Sequence, residues 1–252
     1  MKILAVDSSG MTAAVAVYSD GVILAAQSVN NKKTHSQTLL PMIKEMMEHS
    51  GLGLGDIDAV AIAQGPGSFT GLRIGAATVK GLCLAINKPV IPVSTLAGLA
   101  YNVAGNDGVI CPVMDARRSQ VYTALYSWEN DGLMELMPPS AKGIDDLISE
   151  LSGRECITFV GDGVPVFAGL IKDKLGASVH FAKPHMLLQN AASVAVLAAR
   201  LYEEGAAVEA DAFEPVYLRL SQAEREKIKK NKIIIRSMTV DDLDVVTGIE
   251  MK

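Results

Sequence analysis

The chain has few aromatic residues and few cysteines, and each shortage excludes a class of protein. Aromatic residues fill 5% of its 252 positions, so the core has to be built from Ala, Val, Ile and Leu. The three cysteines, Cys83, Cys111 and Cys156, are an odd number and lie scattered in apolar stretches. This pattern excludes a disulfide framework and predicts buried free thiols in the reducing cytoplasm.

Long apolar runs are also missing. The longest candidate, 191–199, stops at Arg200 and is too short to cross a bilayer. The first residues offer only Lys2 and a four-residue apolar run before Asp7, which is not typical of a signal peptide. The sequence therefore predicts no contact with membranes.

Positive charge is scarce as well, since the formal net charge is −5. A protein that binds nucleic acid by itself normally carries a basic surface. The one basic run, 225–232, lies near the end of the chain. Any contact with nucleic acid is therefore expected to be made through a partner protein.

The apolar pattern that is present predicts an α/β protein made of two similar halves. Each half reads as β-β-β-α-β-α followed by a further strand and helix, which indicates an internal duplication. Asp7 and Asp115 end the first strand of each half, and we expect them to face each other across a cleft. Thr34 and Gln37 have the spacing of a capping box at the first helix. The predicted strands are 2–7, 13–19, 22–29, 57–63, 88–93, 109–114, 120–128, one from 131, 157–161 and 178–181, and the predicted helices are 34–50, 70–86, 95–104, 144–151, 164–174 and 190–204.

The stretch from Gln64 to Gly75 joins a buried strand to a helix through a glycine-rich turn. A helix N-terminus after glycines can bind an anion, because free N–H groups point out of its first turn. The two common phosphate fingerprints both fail here, since one needs a lysine and the other a glycine at Phe69 or Thr70. Gly65, Gly67 and Ser68 are therefore candidates for an anion site, and an ordinary turn is the equal alternative.

The eleven residues 65–75, GPGSFTGLRIG, resemble the signature of the TsaB (YeaZ) family, and Pro215-Val-Tyr-Leu-Arg219 resembles the ending of its members. The resemblance covers residues 1–222. It implies the actin/hexokinase/Hsp70-like (ASKHA) fold with two RNase H-like lobes. The expected lobes are 1–105, with 206–222 returning to it, and 106–205.

The resemblance also implies a function. TsaB proteins are the non-catalytic partners of TsaD, which transfers a threonylcarbamoyl group to the adenine beside the anticodon of tRNA, and TsaE is the ATPase of the set. By this resemblance the chain contacts tRNA only through the complex, forms homodimers when alone and has no catalytic residue.

The nucleotide site of the fold is only partly matched. Asp7, Ser8, Ser9 and Thr12 resemble its first phosphate loop, while the second loop, at Asp115, has Arg117 where a glycine is expected. ATP or ADP at the partner interface is the only cofactor left open. Catalytic relatives carry a His-x-x-x-His metal site, and here His35 is followed by Leu39, so no metal is expected. An ASKHA phosphotransferase and a metalloprotease-like enzyme remain the alternatives.

Two helices are the predicted partner surface. Gly71 and Gly75 lie one turn apart on one helix, and methionines cluster on the other. Methionine at helical spacing is more often part of a core than of an interface, and that alternative stays open. The candidate interface residues are His35, Leu39, Ile43, Met46, Met47, Thr70, Gly71, Arg73, Ile74, Gly75 and Thr78.

The end of the chain has a different pattern. Residues 223–232 read as a charged linker. Residues 233–252 resemble the opening of a GNAT acetyltransferase of the ribosomal-protein alanine type. About twenty residues cannot bury a core of their own, so a truncated or vestigial domain is expected.

Overall fold

The computed structural model describes residues 1–31 and 34–219. The predicted linker and the GNAT-like segment lie outside the described residues. Residues 1–219 form one compact unit. The order of elements in it is the order predicted from the sequence, a β-β-β-α-β-α-β-α series that occurs twice.

The first half builds a five-stranded sheet in the order β3-β2-β1-β4-β5. β1 pairs antiparallel with β2 and parallel with β4. The sheet thus combines an antiparallel part, β1 to β3, with a parallel part that includes β4 and β5. The elements of this half are β1 (Lys2–Asp7), β2 (Ala13–Ser19), β3 (Val22–Val29), α1 (His35–Ser50), a 3-10 turn (Leu54–Asp56), β4 (Ala59–Gly65), α2 (Phe69–Ile86), β5 (Val90–Ser94) and α3 (Thr95–Tyr101).

The second half repeats the plan with the sheet order β8-β7-β6-β9-β10. β6 again pairs antiparallel with its successor, β7, and parallel with β9. Its elements are β6 (Val109–Asp115), β7 (Gln120–Glu129), β8 (Gly132–Gly143), α4 (Ile144–Leu151), β9 (Ile157–Val160), α5 (Val164–Leu175), a 3-10 turn (Gly176–Ser178), β10 (Val179–Phe181) and α6 (Ala191–Glu203). Two sheets with the same strand order confirm the predicted ASKHA fold.

The last helix of each half packs against the sheet of the other half. Leu96 and Leu99 of α3 lie in a core cluster with Ile110 and Met114 of β6. Val194 and the alanines of α6 cover the first sheet, against Ile3 and Ile91. Residues 190–204, which the sequence places in the second lobe of 106–205, thus pack on the sheet of the first half. The small side chains on one face of α6 let the helix fit closely onto the first sheet, which explains why α6 packs on the sheet of the other half.

The segment after α6 returns to the first sheet. Val208 exchanges two backbone hydrogen bonds of 2.8 Å with Val90 of β5, and Phe213 is buried in the core beneath α1 and α2. The chain then passes the glycine turn, where the Val216 N–H donates to the Gln64 carbonyl at 2.8 Å. It reaches the second half at Arg219, whose Nη1 donates to the Ala116 carbonyl at 2.6 Å.

One local expectation was wrong. Thr34 is the N-cap of α1, but its side chain makes no capping hydrogen bond, so the predicted capping box does not form. The helix α2 is mostly apolar, with Arg73 and Lys80 as its two charged residues. By length and composition alone α2 could cross a membrane, since its 18 residues have a mean hydropathy of 1.4. Only a third of those residues are buried in the structure.

Candidate functional site

The loop after β1 is organised by a buried carboxylate. Asp7 is 2% exposed, and its Oδ1 accepts hydrogen bonds from the N–H of Ser9 at 2.8 Å and from its hydroxyl at 2.6 Å. Burial raises the pKa of Asp7 to about 6, against the lowering effect of the Ser9 hydrogen bonds and the charge of His35. The carboxyl of Asp162 raises the pKa of Asp7 further. The first loop therefore holds a carboxyl group that titrates near neutral pH.

Asp162 is a site residue that the sequence analysis missed. It lies between Gly161 and Gly163 after β9, and a carboxylate flanked by glycines at a strand end was the available signal. Burial raises the pKa of Asp162 to about 6, and the carboxyl of Asp115 adds to the shift. Asp115 was expected to face Asp7, but it is exposed, and its own N–H donates to Asp162 Oδ1 at 3.2 Å. Asp162 is thus the carboxyl of the second half that influences Asp7.

The glycine turn before α2 packs directly on this first loop. The Ser68 N–H donates to the Ser9 carbonyl at 2.6 Å, and the Ser8 hydroxyl donates to the Gly71 carbonyl at 2.9 Å. Ser68 also caps the helix, because its Oγ accepts the Gly71 N–H at 3.3 Å. Two N–H groups at this helix end are therefore already bonded within the protein, which favours the ordinary-turn alternative for Gly65, Gly67 and Ser68.

The glycines of this region serve close backbone contact. A Cβ atom at Gly67 would collide with the Ser9 carbonyl oxygen, one at Gly71 with the Ser8 carbonyl oxygen and one at Gly75 with the Ser8 hydroxyl. Gly71 and Gly75 were predicted to offer a smooth side to a partner helix. Both are buried, and the first loop occupies that side instead.

Gln189, which precedes α6, fills the space beside Gly10. Its amide would collide with a Cβ at Gly10, it is 2% exposed, and neither of its polar atoms bonds to another described residue. The hydroxyl of Thr12 and Nδ1 of His35 are also buried and make no hydrogen bond with another described residue. His35 donates through Nε2 to the Gly10 carbonyl at 2.8 Å, since a carbonyl can only accept. A phosphate group could not reach Gly10 without displacing the Gln189 amide.

The second phosphate loop does not fit a nucleotide either. Arg117 has a φ of 65°, a left-handed conformation that a glycine would adopt without strain, and its side chain lies exposed at the turn. Within residues 1–31 and 34–219 there is also no group of three or more His, Cys, Asp or Glu side chains that could hold a metal ion.

The methionine stripe of α1 belongs to the core. The side chains of Leu39, Ile43, Met46 and Met47 are buried among β-strand residues such as Val15. They cannot contact a partner in this conformation, because the apolar face of α1 is turned towards the first sheet. Of the other predicted interface residues, Thr70 and Arg73 are exposed, and His35, Ile74 and Thr78 are half-buried.

The exposed face of α2 carries an apolar stripe that the sequence analysis did not identify. We call Ile74, Ala77, Gly81 and Leu84 the α2 stripe; Leu84 is 60% exposed. Their spacing of three and four residues repeats once per helical turn, opposite the buried Leu72, Ala76, Val79 and Cys83. Leu40 of the adjacent α1 adds a side chain that is 54% exposed. A stripe of small and apolar residues lets another helix approach closely.

Comparison with known proteins places the chain in a family. Residues 23–227 match the family model described as TsaD: tRNA N6-adenosine threonylcarbamoyltransferase. The chain is 32% identical over 240 residues to the tRNA threonylcarbamoyladenosine biosynthesis protein TsaB of Bacillus subtilis, covering 92% of this chain and 100% of that protein. It is 33% identical to the TsaB of Escherichia coli, covering 87% and 95% of the two chains.

The solved structures agree. The crystal structure of YeaZ from Pseudomonas aeruginosa has a TM-score of 0.73 and 26% identity, and the match covers 86% of this chain and 99% of that one. The signature at 65–75, the paired sheets and these relatives all agree, and the chain belongs to the TsaB (YeaZ) family.

Proposed function

We propose that this chain is a non-catalytic subunit that supports TsaD in threonylcarbamoyl transfer to the adenine beside the anticodon of tRNA. The names of its relatives support a place in the synthesis of threonylcarbamoyladenosine on tRNA. In this proposal the chain acts in the cytoplasm through protein contacts, with TsaE as the ATPase of the set, and it forms homodimers when TsaD is absent.

The α2 stripe is the observation that carries the proposal. The helix α2 has 18 residues and a mean hydropathy of 1.4, and only a third of its residues are buried. It therefore exposes apolar surface to water, and burying that surface against a partner is favourable in free energy. Small residues at Ala77 and Gly81 permit the close helix contacts of a helix-on-helix interface. The first loop and the Gln189 amide, by contrast, leave Gly10 closed to phosphate, which fits a supporting subunit better than a phosphotransferase.

The experiment is threonylcarbamoyl transfer to tRNA by TsaD and TsaE from the same organism, with and without this chain. We expect transfer only when the chain is present. Leu84→Glu puts a charge into the α2 stripe and should lower the rate at least tenfold, because burying an unpaired charge at an interface costs several kcal/mol.

The matched control is Val166→Glu on α5. Val166 is 58% exposed, close to the 60% of Leu84, so both variants place the same charge on an exposed apolar helix position. We expect V166E to keep the wild-type rate and to copurify with TsaD. Equal rates with and without the chain, or equal losses in the two variants, would contradict the proposal.

A further inference from the structure

Four arginines follow one path over the surface, from α2 to the turn between β6 and β7. Arg73 on α2 donates through Nε to the Tyr217 hydroxyl at 3.3 Å. Two residues on, Arg219 donates to the Ala116 carbonyl at 2.6 Å, and Ala116 precedes Arg117 and Arg118. We call Arg73, Arg219, Arg117 and Arg118 the arginine track.

The turn at the far end of the track is held in an uncommon backbone conformation. Arg117, Arg118 and Ser119 have φ values of 65°, 56° and 54°, three consecutive left-handed residues without a glycine. Such strain persists only where surrounding contacts hold it. Here Asp115 accepts the Arg117 N–H at 2.8 Å, Ser119 accepts the Ile144 N–H at 3.0 Å, and Arg219 binds the Ala116 carbonyl. The result is a fixed turn that presents two adjacent guanidinium groups to solvent.

Within residues 1–31 and 34–219, none of the four arginines forms a salt bridge. Arg73 lies over the ring of Phe69, 4.0 Å from its centroid, and the Phe69 ring is 4.8 Å from that of Tyr217. Asp115 is the carboxylate within the turn, and one of its oxygens is taken by a backbone N–H. This concentration of cations stands out on a chain with a net charge of −5.

We propose that the arginine track contacts the phosphate backbone of RNA. Guanidinium groups match phosphate oxygens in a two-pronged geometry, and polyanion binding draws on several separated contacts rather than on one enclosed pocket. Arg73, Arg117 and Arg118 are exposed, and the half-buried Arg219 connects them through its contact with Ala116, so the cations are separated and accessible as that requirement asks. The exposed ring of Tyr217 stands beside the track and offers a flat surface for a base.

The identity of the RNA as tRNA rests on the proposed function. Arg73 is followed directly by Ile74 of the α2 stripe, so the track begins where the proposed partner surface ends. RNA held by the catalytic partner would continue from that surface onto the second half of this chain. The chain would then position the substrate of the transfer in addition to binding the enzyme.

The test is titration of a fluorescently labelled tRNA transcript with the full chain, over a series of low salt concentrations, by anisotropy. For Arg117→Gln with Arg118→Gln we expect affinity to fall about tenfold and the salt slope of log affinity to drop by about 1.5, as two phosphate contacts predict. The contacts that hold the turn use backbone atoms of residues 116, 117 and 119, so glutamine leaves the turn in place.

The control removes the same charge elsewhere. Lys172 and Lys174 are exposed in the last turn of α5, and K172Q with K174Q should leave the affinity within about twofold, because distant charges are screened. No binding of tRNA at low salt, or equal losses in both double variants, would overturn the proposal. Displacement of the RNA by a nucleoside triphosphate at matched ionic strength would also overturn it, in favour of a small phosphate ligand.

Copurification with TsaD separates this inference from the proposed function. R117Q with R118Q should still assemble with TsaD, and loss of assembly would assign these arginines to a protein contact and overturn the RNA proposal. If the wild-type chain fails to assemble with TsaD, the proposed function fails, while the tRNA titration of the chain alone still decides the role of the track.

Discussion

Asp7 is a buried carboxylic acid in the loop after β1. Its carboxyl is buried and bonded to Ser9, and the neighbouring Gln189 amide covers Gly10. Burial raises the pKa of Asp7 to about 6, against 3.8 for the free side chain. Above pH 6 the folded protein therefore keeps a charge that burial disfavours, which makes Asp7 a source of pH-dependent stability.

We expect Asp7→Asn to flatten the pH dependence of stability between pH 4 and pH 8. Because the folded protein binds the proton more tightly than the unfolded chain, stability falls as pH rises from 3.8 through 6. Asparagine carries no charge, so the variant should lack this fall, which is about 3 kcal/mol at 1.36 kcal/mol per pKa unit. Urea unfolding at pH 5 and pH 8 measures about 1.4 kcal/mol of this fall, because the rest of it lies below pH 5.

Asp20→Asn is the control for this prediction. Asp20 is exposed, and the N-terminal amine beside it lowers the pKa of its carboxyl, so Asp20 stays ionised throughout pH 5–8. D20N should leave the difference in stability between pH 5 and pH 8 as it is in the wild type. A D7N variant with the same pH dependence as the wild type would show that Asp7 is not a buried, neutral-titrating carboxyl.

At the scale of the element, α2 serves two surfaces with two sets of glycines. Gly71 and Gly75 lie on its inner face, where the first loop touches the helix backbone. Gly81 lies on its outer face in the α2 stripe, with no atom within 4 Å of the position of a Cβ. The helix thus lies against the loop through Gly71 and Gly75, while no described residue packs against Gly81 on its outer face.

Replacing each glycine by alanine should have opposite effects on stability. Gly71→Ala forces the Ser8 carbonyl away and should cost about 1–3 kcal/mol, as overpacking of a core does. Gly81→Ala meets no neighbour and should add up to about 1 kcal/mol through helix propensity. Thermal or urea unfolding of the two variants measures the difference. Destabilisation by G81A would show that its outer face is already packed.

The order and bounds of the elements could be predicted because apolar periodicity acts within each segment. The helix expected at 144–151 is observed at Ile144–Leu151, and the helix expected at 70–86 begins one residue earlier, at Phe69. Periodicity does not tell which apolar face is covered by the same chain. The stripe of Met46 and Met47 faces the first sheet, while Ala77, Gly81 and Leu84 of the α2 stripe are not covered by any residue that the structure describes.

The site needed information from distant parts of the chain. Asp162 and Gln189 approach the first loop only because β9 and the segment before α6 fold back on it, and no local pattern states that. The contact of Arg219 with Ala116 spans 103 positions in the sequence. The sequence therefore predicted the first loop, which comes from one continuous segment. It did not predict Asp162 and Gln189, which other segments bring to that loop.

At the scale of the whole molecule, the exchange of α3 and α6 joins the two halves into one folding unit. Gly98 of α3 lies against Val194 of α6, with 3.3 Å between a Cβ built at Gly98 and the Val194 Cγ2. Asn102, at the end of α3, donates to the carbonyls of Met186 and Leu188 at 3.0 and 2.8 Å, and its Oδ1 accepts the Ser193 hydroxyl at 2.7 Å. Each sheet therefore depends on a helix supplied by the other half.

We expect residues 1–105 not to fold alone, although they contain a complete β-β-β-α-β-α series. Without α6, one face of the first sheet, with Ile3, Ala5, Ile91 and Val93, would be exposed to water. The apolar residues of α3 would also lose the second sheet. An uncovered apolar sheet face of this kind aggregates or stays without fixed packing.

Near-UV circular dichroism and gel filtration of the fragment 1–105, compared with 1–219, test this expectation, and the longer chain is expected to be folded. A monomeric 1–105 fragment with a cooperative thermal transition would show that the halves are independent domains, and would refute the dependence on α6.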